Sequence, residues 1–254
     1  TKNYSYSDLS SEIFLNSGGV SFSVTSYPDL AKAGSFTGVF VCSARVLYEK
    51  LDFGFEILEE IINRSVLDDE KRLNEILSEG KSKSQMKLMG SGHTAAVARG
   101  TFSDTSYFND MTGGIGYYKF LEDLAKNFET KKDEIIAGLK RVMAALFTRE
   151  NMTVSYTADQ EGFSYLEGAM KKLSEKIPAG TGKIYPFTAP KENRNEGFTS
   201  SSKVNYVAHC GTFAGSGYSY TGALRILKVM LSYDYLWINI RVKGGAYGCM
   251  SGIG

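Results

Sequence analysis

Two residues near the end of the chain have types and a spacing that could bind a peptide. Arg241 and Tyr247 lie in the stretch "RVKGGAYG", separated by Gly244 and Gly245. A guanidinium and a phenol are both hydrogen-bond donors at neutral pH, so together they could bind a carbonyl oxygen. The same residues also allow an ordinary helix-to-strand turn with a buried tyrosine and a surface arginine.

The pattern around this pair predicts how it is positioned. Leu236 and Ile240 continue an apolar helical face as far as Arg241. Either glycine can then end the helix in the left-handed conformation that other residues adopt reluctantly. We expect residues 246–250 to leave as a strand, which would bring Tyr247 back beside the last helical turn.

The other groups that could do chemistry do not form a recognisable site. Zinc sites usually take three or four nearby ligands, and the chain contains neither H-x-x-E-H nor H-E-x-x-H. We therefore predict structural roles for both histidines and isolated reduced thiols for all three cysteines: His93 and His209; Cys42, Cys210 and Cys249. The chain is also expected to bind no metal.

Serine nucleophile and phosphate-binding motifs are missing as well. The stretch "GCMSG" is one residue out of register for G-x-S-x-G, and "GTFAGSGYS" lacks the lysine that ends a phosphate loop. The acidic pairs Glu59-Glu60 and Asp68-Asp69 are interpreted as solvated helix surfaces or helix caps. Catalysis by residues of this chain alone is therefore not predicted.

Composition excludes several classes of partner. The 254 residues carry 29 basic and 28 acidic side chains, so the net charge of +1 argues against a surface for nucleic acid or anionic membrane. No stretch approaches the roughly 18 apolar residues of a membrane span. The first residues are not a signal sequence, and cytoplasm is the expected location. Because the sequence does not begin with Met, we expect it to be a segment of a longer protein.

Alternating and helical patterns divide the first 180 residues into strands and helices. Strands are predicted over residues 20–25, 36–42 and 152–156. The helices predicted from apolar stripes span residues 51–62, 117–128, 135–146 and 163–173, and Asp68-Asp69 caps a further helix through Leu73 and Leu77.

A second unit is predicted after a segment rich in proline, glycine and polar residues. Residues 181–202 have the composition of a linker or exposed loop. Beyond it, alternation over residues 204–208 is followed by a helical stripe over residues 223–231. The domains expected are therefore 1–180 and 203–254, with the second incomplete.

The chain resembles the insulinase and pitrilysin family of zinc metallopeptidases, in particular its presequence-protease-like branch. The specific part of the likeness is "YLWINIRVKGGAYG", and four further stretches support it in order and spacing: "LNSGGVSFSV", "GSGHTAAVARG", "YYKFLEDLAKNF" and "ENMTVSYTADQEGF". The resemblance implies an α+β fold, as in mitochondrial processing peptidase, with an antiparallel sheet packed with helices on one side. Residues 1–180 would be the third such domain of the parent enzyme, and residues 203–254 the beginning of the fourth.

The resemblance also implies a function for the arginine and tyrosine. In that family two halves of one polypeptide close like a clamshell around an unfolded peptide, and the N-terminal half carries the zinc site. By position, Arg241 and Tyr247 would bind the substrate backbone, and Tyr247 would stabilise the oxyanion. The parent would be a zinc metalloendopeptidase, and this fragment would be inactive alone.

A second hypothesis stays open at this point. Some members of the superfamily are structural or recognition subunits without a working metal site, and this chain has no zinc motif of its own. The presence of both Arg241 and Tyr247 favours the peptidase. An H-x-x-E-H motif in the preceding part of the parent would decide between the two.

Overall fold

The fold of the chain is described by a computed structural model. It describes residues 1–32, 34–100, 103–183, 185, 187–190, 195–199, 201, 203–213 and 216–253. Two compact units are formed, Thr1–Cys210 and Gly211–Gly254. The linker and domain limits expected from the sequence remain predictions.

The described part of the first unit consists of helices and an antiparallel pair of strands. The strands are β1 (Val20–Pro28) and β2 (Phe36–Ala44). The helices are α1 (Tyr6–Asn16), α2 (Leu51–Arg64), α3 (Glu70–Gly90), α4 (Gly92–Gly100), α5 (Asp104–Gly113), α6 (Ile115–Lys126), α7 (Phe128–Leu146) and α8 (Gln160–Lys176). The predicted α+β class with an antiparallel sheet is confirmed.

One face of the β1–β2 pair carries aromatic side chains that contact helices. Val24 lies opposite Phe40, and Phe40 stacks on Phe22 and meets the edge of Phe147. On the same face Phe108 of α5 lies so close to Gly38 that a β-carbon there would come within 2.7 Å of its ring. The alternating apolar residues therefore share the face that α5 contacts, although Phe22, Val24 and Phe40 are themselves 40%, 45% and 38% exposed.

The main apolar core lies among α3, α6 and α7. Leu77, Leu121 and Phe128 are buried together, and Tyr117 and Ile135 pack against them. The two helical stripes predicted over residues 117–146 contain Tyr117, Leu121, Phe128 and Ile135. Leu77 belongs to the helix that was predicted to follow Asp68-Asp69. Asp69 caps α3 as predicted, because its carboxylate accepts a hydrogen bond from the backbone N–H of Arg72 at 2.9 Å.

The prediction that Glu59 and Glu60 lie on a solvated surface is wrong. Their exposed fractions are 6% and 4%. Glu60 accepts hydrogen bonds from the Nδ2 of Asn3 at 2.9 Å and from Arg64 at 3.1 Å, while Lys176 lies 3.5 Å from Glu59. Two of these partners come from the N-terminal segment and α8, so a local acidic pattern could not reveal them.

The environment of Glu60 also affects its ionisation. Burial opposes the charged carboxylate, but hydrogen bonds from Thr1 and Asn3 and the charge of Arg64 together hold the pKa of Glu60 below its usual value. Its buried charge is therefore compensated, which explains why the helix tolerates two adjacent acidic residues on its inner face.

A buried ion pair joins α4 to α5, and its arginine also contacts the segment that follows α8. Arg99 contacts Asp110 at 2.7 Å and Glu196 at 2.5 Å, and the side chains of Arg99 and Asp110 are 11% and 2% exposed. The other oxygen of Asp110 accepts a hydrogen bond from the backbone N–H of Gly116. Glu196 thereby fixes the described residues 195–199 to the helices.

Further contacts attach the same segment to the sheet side of the unit. Phe187 packs against Phe36, Tyr107 and Phe108, with ring centroids 5.6–6.0 Å apart. The backbone N–H of Ala189 donates to the carboxylate of Asp104. The described part of the predicted linker therefore packs against the first unit.

The three other predicted strands are not formed. Residues 152–156, 204–208 and 246–250 are described and irregular. A strand requires hydrogen bonds to a neighbouring strand, and β1 and β2 are the only paired strands among the described residues. Alternation alone therefore predicted more strands than the structure contains in these stretches.

The described part of the second unit contains a continuous helical segment. It consists of α9 (Ala223–Met230) and a π-helix (Leu231–Lys243), where a helical stripe was predicted. After the helix the chain returns beside it, because the Oγ of Ser251 lies 2.8 Å from the Oγ of Ser232.

Candidate functional site

The candidate site is formed by the end of the π-helix and the turn that follows it. In a π-helix the backbone bonds run from residue i to i+5, and such helices are rare. Here the last two turns carry Trp237 and Arg241. The sequence predicted a helix over these residues, and the π form is a finding of the structure.

The turn reverses the chain at the two glycines. Gly245 has a φ of +73°, which is the left-handed conformation predicted for the helix end. Its N–H donates to the carbonyl of Arg241, and the N–H of Ala246 donates to the carbonyl of Ile240. A β-carbon at Gly244 would lie 2.6 Å from the carbonyl oxygen of Ile240, so this position also favours glycine.

The turn brings Arg241 to the backbone of Tyr247. The Nε of Arg241 donates a hydrogen bond to the carbonyl oxygen of Tyr247 at 3.2 Å. Tyr247 itself is 87% exposed. The buried tyrosine that an ordinary helix-to-strand turn would have is therefore not found.

The arginine keeps hydrogen-bonding capacity for a ligand. A guanidinium has five N–H donors, and the Nε bond to Tyr247 uses one of them. Among the described residues, no other acceptor bonds to Arg241. The Nη groups of Arg241 and the phenol of Tyr247 are thus exposed donors carried by one short turn.

Trp237 is a neighbour of Arg241 that the sequence prediction missed. The Cζ atom of Arg241 lies 4.5 Å from the centroid of the Trp237 ring. At this distance the cation is attracted by the electron-rich face of the indole. The spacing of four residues between an aromatic residue and an arginine on one helix was the available signal.

Replacing Gly244 with alanine is expected to disrupt this turn. The new β-carbon would meet the backbone of Ile240, and substitutions that strain the backbone at a glycine typically cost about 0.5–3 kcal/mol. We expect faster hydrogen exchange at the amides of Gly245 and Ala246, measured by NMR or mass spectrometry of the full-length protein.

Gly248→Ala is the matched control for this change. A β-carbon at Gly248 would meet nothing within 4 Å, so the protection of both amides should be unchanged. Equal exchange in the Gly244→Ala variant and the control would contradict the steric requirement at the turn.

The histidines and cysteines do not assemble into a metal site. In the described ranges, no group of three His, Cys, Asp or Glu side chains could hold a metal ion. His93 lies beside the ring of Tyr206, with centroids 5.7 Å apart, and His209 is exposed. The residues that the structure describes therefore do not fit the zinc that the resemblance implies for the parent.

Two family models match the chain at its two ends. A model for a domain associated with subfamily C of the M16 peptidases matches residues 1–124, and the model described as "PreP C-terminal domain" matches residues 195–254. The second match includes the whole candidate site.

Relatives match between three quarters and nearly all of the chain. Protein HypA of Clostridium perfringens is 33% identical over 253 residues, which is 99% of this chain and 26% of the relative. The presequence protease, mitochondrial, of Yarrowia lipolytica is 26% identical over 98% of this chain and 26% of the relative. Presequence protease 1, chloroplastic/mitochondrial, of Arabidopsis thaliana is 26% identical over 76% of this chain and 18% of the relative.

These matches identify the family. The chain belongs to the M16 peptidase family. Within this family it is similar to the presequence proteases. The chain spans about a quarter of the length of protein HypA and of the Yarrowia lipolytica protease.

Among the described helices, none is long and apolar enough to cross a membrane.

Proposed function

We propose that the chain supplies the substrate-binding groups of a zinc metalloendopeptidase that degrades unfolded peptides inside a clamshell chamber. The observation that carries this proposal is the hydrogen bond from Arg241 to the carbonyl of Tyr247, within the segment matched by the PreP C-terminal domain. This bond keeps Arg241 beside the backbone of Tyr247, so the exposed Nη groups and the exposed phenol lie close together in the chain. The proposed partner of this segment is the N-terminal half of the same polypeptide.

Each residue has a distinct proposed role. The Nη groups of Arg241 donate to a backbone carbonyl of the bound peptide, which holds the peptide in place. The phenol of Tyr247 donates to the scissile carbonyl oxygen as negative charge develops on it. A donor aimed at this charge lowers the barrier because it binds the transition state more strongly than the substrate.

The zinc is proposed to bind elsewhere in the parent protein. The described residues offer no ligand set for it, so no step that involves the metal is assigned to this chain. The chain alone is therefore expected to cleave nothing. A cytoplasmic location of the parent also stays a prediction.

Replacing Arg241 with methionine in the full-length protein tests this function. Loss of hydrogen bonds to a charged group costs about 1.5–3 kcal/mol, which is a roughly 10- to 100-fold loss of affinity. We expect kcat/KM for an unstructured peptide to fall by that factor, mainly through a higher KM.

Arg225→Met is the control, because Arg225 is an exposed arginine of α9 in the same unit. It removes the same charge and should leave KM unchanged. An Arg241→Met variant with wild-type kinetics would contradict the proposed binding role. A full-length protein that cleaves no peptide at all would instead favour the structural or recognition subunit.

A further inference from the structure

The contact between Trp237 and Arg241 lies on the surface of the second unit. Trp237 is 41% exposed, and the π-helix Leu231–Lys243, all of which is described, contains no buried residue. The indole therefore does not fill a core. Its defined contact is with the guanidinium of Arg241, whose Cζ lies 4.5 Å from the ring centroid.

Arg241 is restrained from two directions by its neighbours. The guanidinium lies over the ring of Trp237, and the carbonyl of Tyr247 accepts a bond from its Nε. A free arginine side chain loses much rotamer freedom when a ligand immobilises it. Restraint before binding reduces that loss and so increases affinity.

We propose that Trp237 is a positioning residue, which orients the Nη donors of Arg241 toward the peptide backbone. This inference rests on the proposed function of Arg241 as a substrate-binding group. Trp237 acts through Arg241, so its effect should appear in peptide binding and should depend on the arginine being present.

Replacing Trp237 with leucine in the full-length protein tests the inference. Loss of a cation–π contact at an exposed site corresponds to a two- to fivefold change in affinity, or about 0.5–1 kcal/mol. We expect KM for an unstructured peptide to rise by about that factor while kcat stays within about twofold. Trp237→Phe retains an aromatic face and should restore most of the wild-type KM.

Two further variants separate this role from a structural one. Tyr235→Leu removes an exposed aromatic residue of the same helix and should leave KM unchanged. In the Arg241→Met background, Trp237→Leu should produce no additional rise, because the group that it positions is already gone.

The outcomes distinguish the inference from the proposed function. If Arg241→Met raises KM but Trp237→Leu does not, the positioning role is overturned and the function of Arg241 stands. A rise of equal size in both backgrounds overturns it in the same way. If Arg241→Met leaves KM unchanged, the proposed function fails, and the positioning role fails with it.

Discussion

Replacing Tyr247 with phenylalanine is expected to lower kcat of the full-length protein by about 10²- to 10³-fold, the usual effect of losing one preorganised oxyanion donor. The substitution removes a single oxygen atom. Because residue 247 is 87% exposed, the change leaves no buried group without a partner. The backbone carbonyl that Arg241 contacts is also retained. A large kinetic effect would thus come from the phenol itself.

Two controls make this result interpretable. Tyr218→Phe removes a phenol that is also exposed, at 79%, in the same unit and should leave kcat unchanged. Metal analysis of the Tyr247→Phe protein should give the same zinc content as the wild type, since the zinc is proposed to bind elsewhere in the parent protein. Near-wild-type turnover in Tyr247→Phe would refute the oxyanion role.

Five helices of the first unit, α2, α3, α6, α7 and α8, could be predicted because their signals are local, but α1, α4 and α5 were not predicted. Leu121 and Leu124 recur at the spacing of one helix face, and both lie in or against the core formed with Leu77. Asp69 precedes α3 and caps it through the adjacent backbone. Each of these features depends on residues within one or two helical turns of each other.

Features that depend on distant residues were predicted poorly. Residues 152–156 alternate as a strand does, but alternation does not supply the neighbouring strand to which they would bond. Glu59 and Glu60 were predicted to be surface residues because their partners Lys176 and Asn3 are far away in the sequence. Long-range pairing is the information that a local pattern lacks.

In the candidate site, too, the local backbone conformation could be predicted and the side-chain contact could not. A left-handed conformation at Gly244 or Gly245 could be predicted from the end of the apolar helical face and the Gly-Gly pair, and the structure has it at Gly245. The roles of Arg241 and Tyr247 were suggested by resemblance, because the residue types also allowed an ordinary turn. The contact of Trp237 with Arg241 required coordinates, since a spacing of four residues is compatible with many side-chain orientations.

The second large effect is expected from replacing Arg99 with methionine. Asp110 is 2% exposed at its side chain, and Arg99 is its ion-pair partner. Removing one partner of a buried ion pair costs about 3–5 kcal/mol, because the remaining charge is left without compensation. We expect the amides of α5 and α6 to exchange roughly 10²- to 10³-fold faster in the full-length protein, a factor that corresponds to about 3–4 kcal/mol.

A control and a rescue identify the cause of this loss. Lys83→Met removes a cation from the exposed pair with Glu79, whose side chains are 69% and 54% exposed, and should leave exchange in α5 and α6 unchanged. Adding Asp110→Asn to Arg99→Met should recover part of the protection, because a neutral amide is less costly to bury than an unpaired carboxylate. Without that recovery, the loss would have to come from the packing of the Arg99 side chain or from its second partner, Glu196. The unpaired charge of Asp110 would then not be the cause of the faster exchange in α5 and α6.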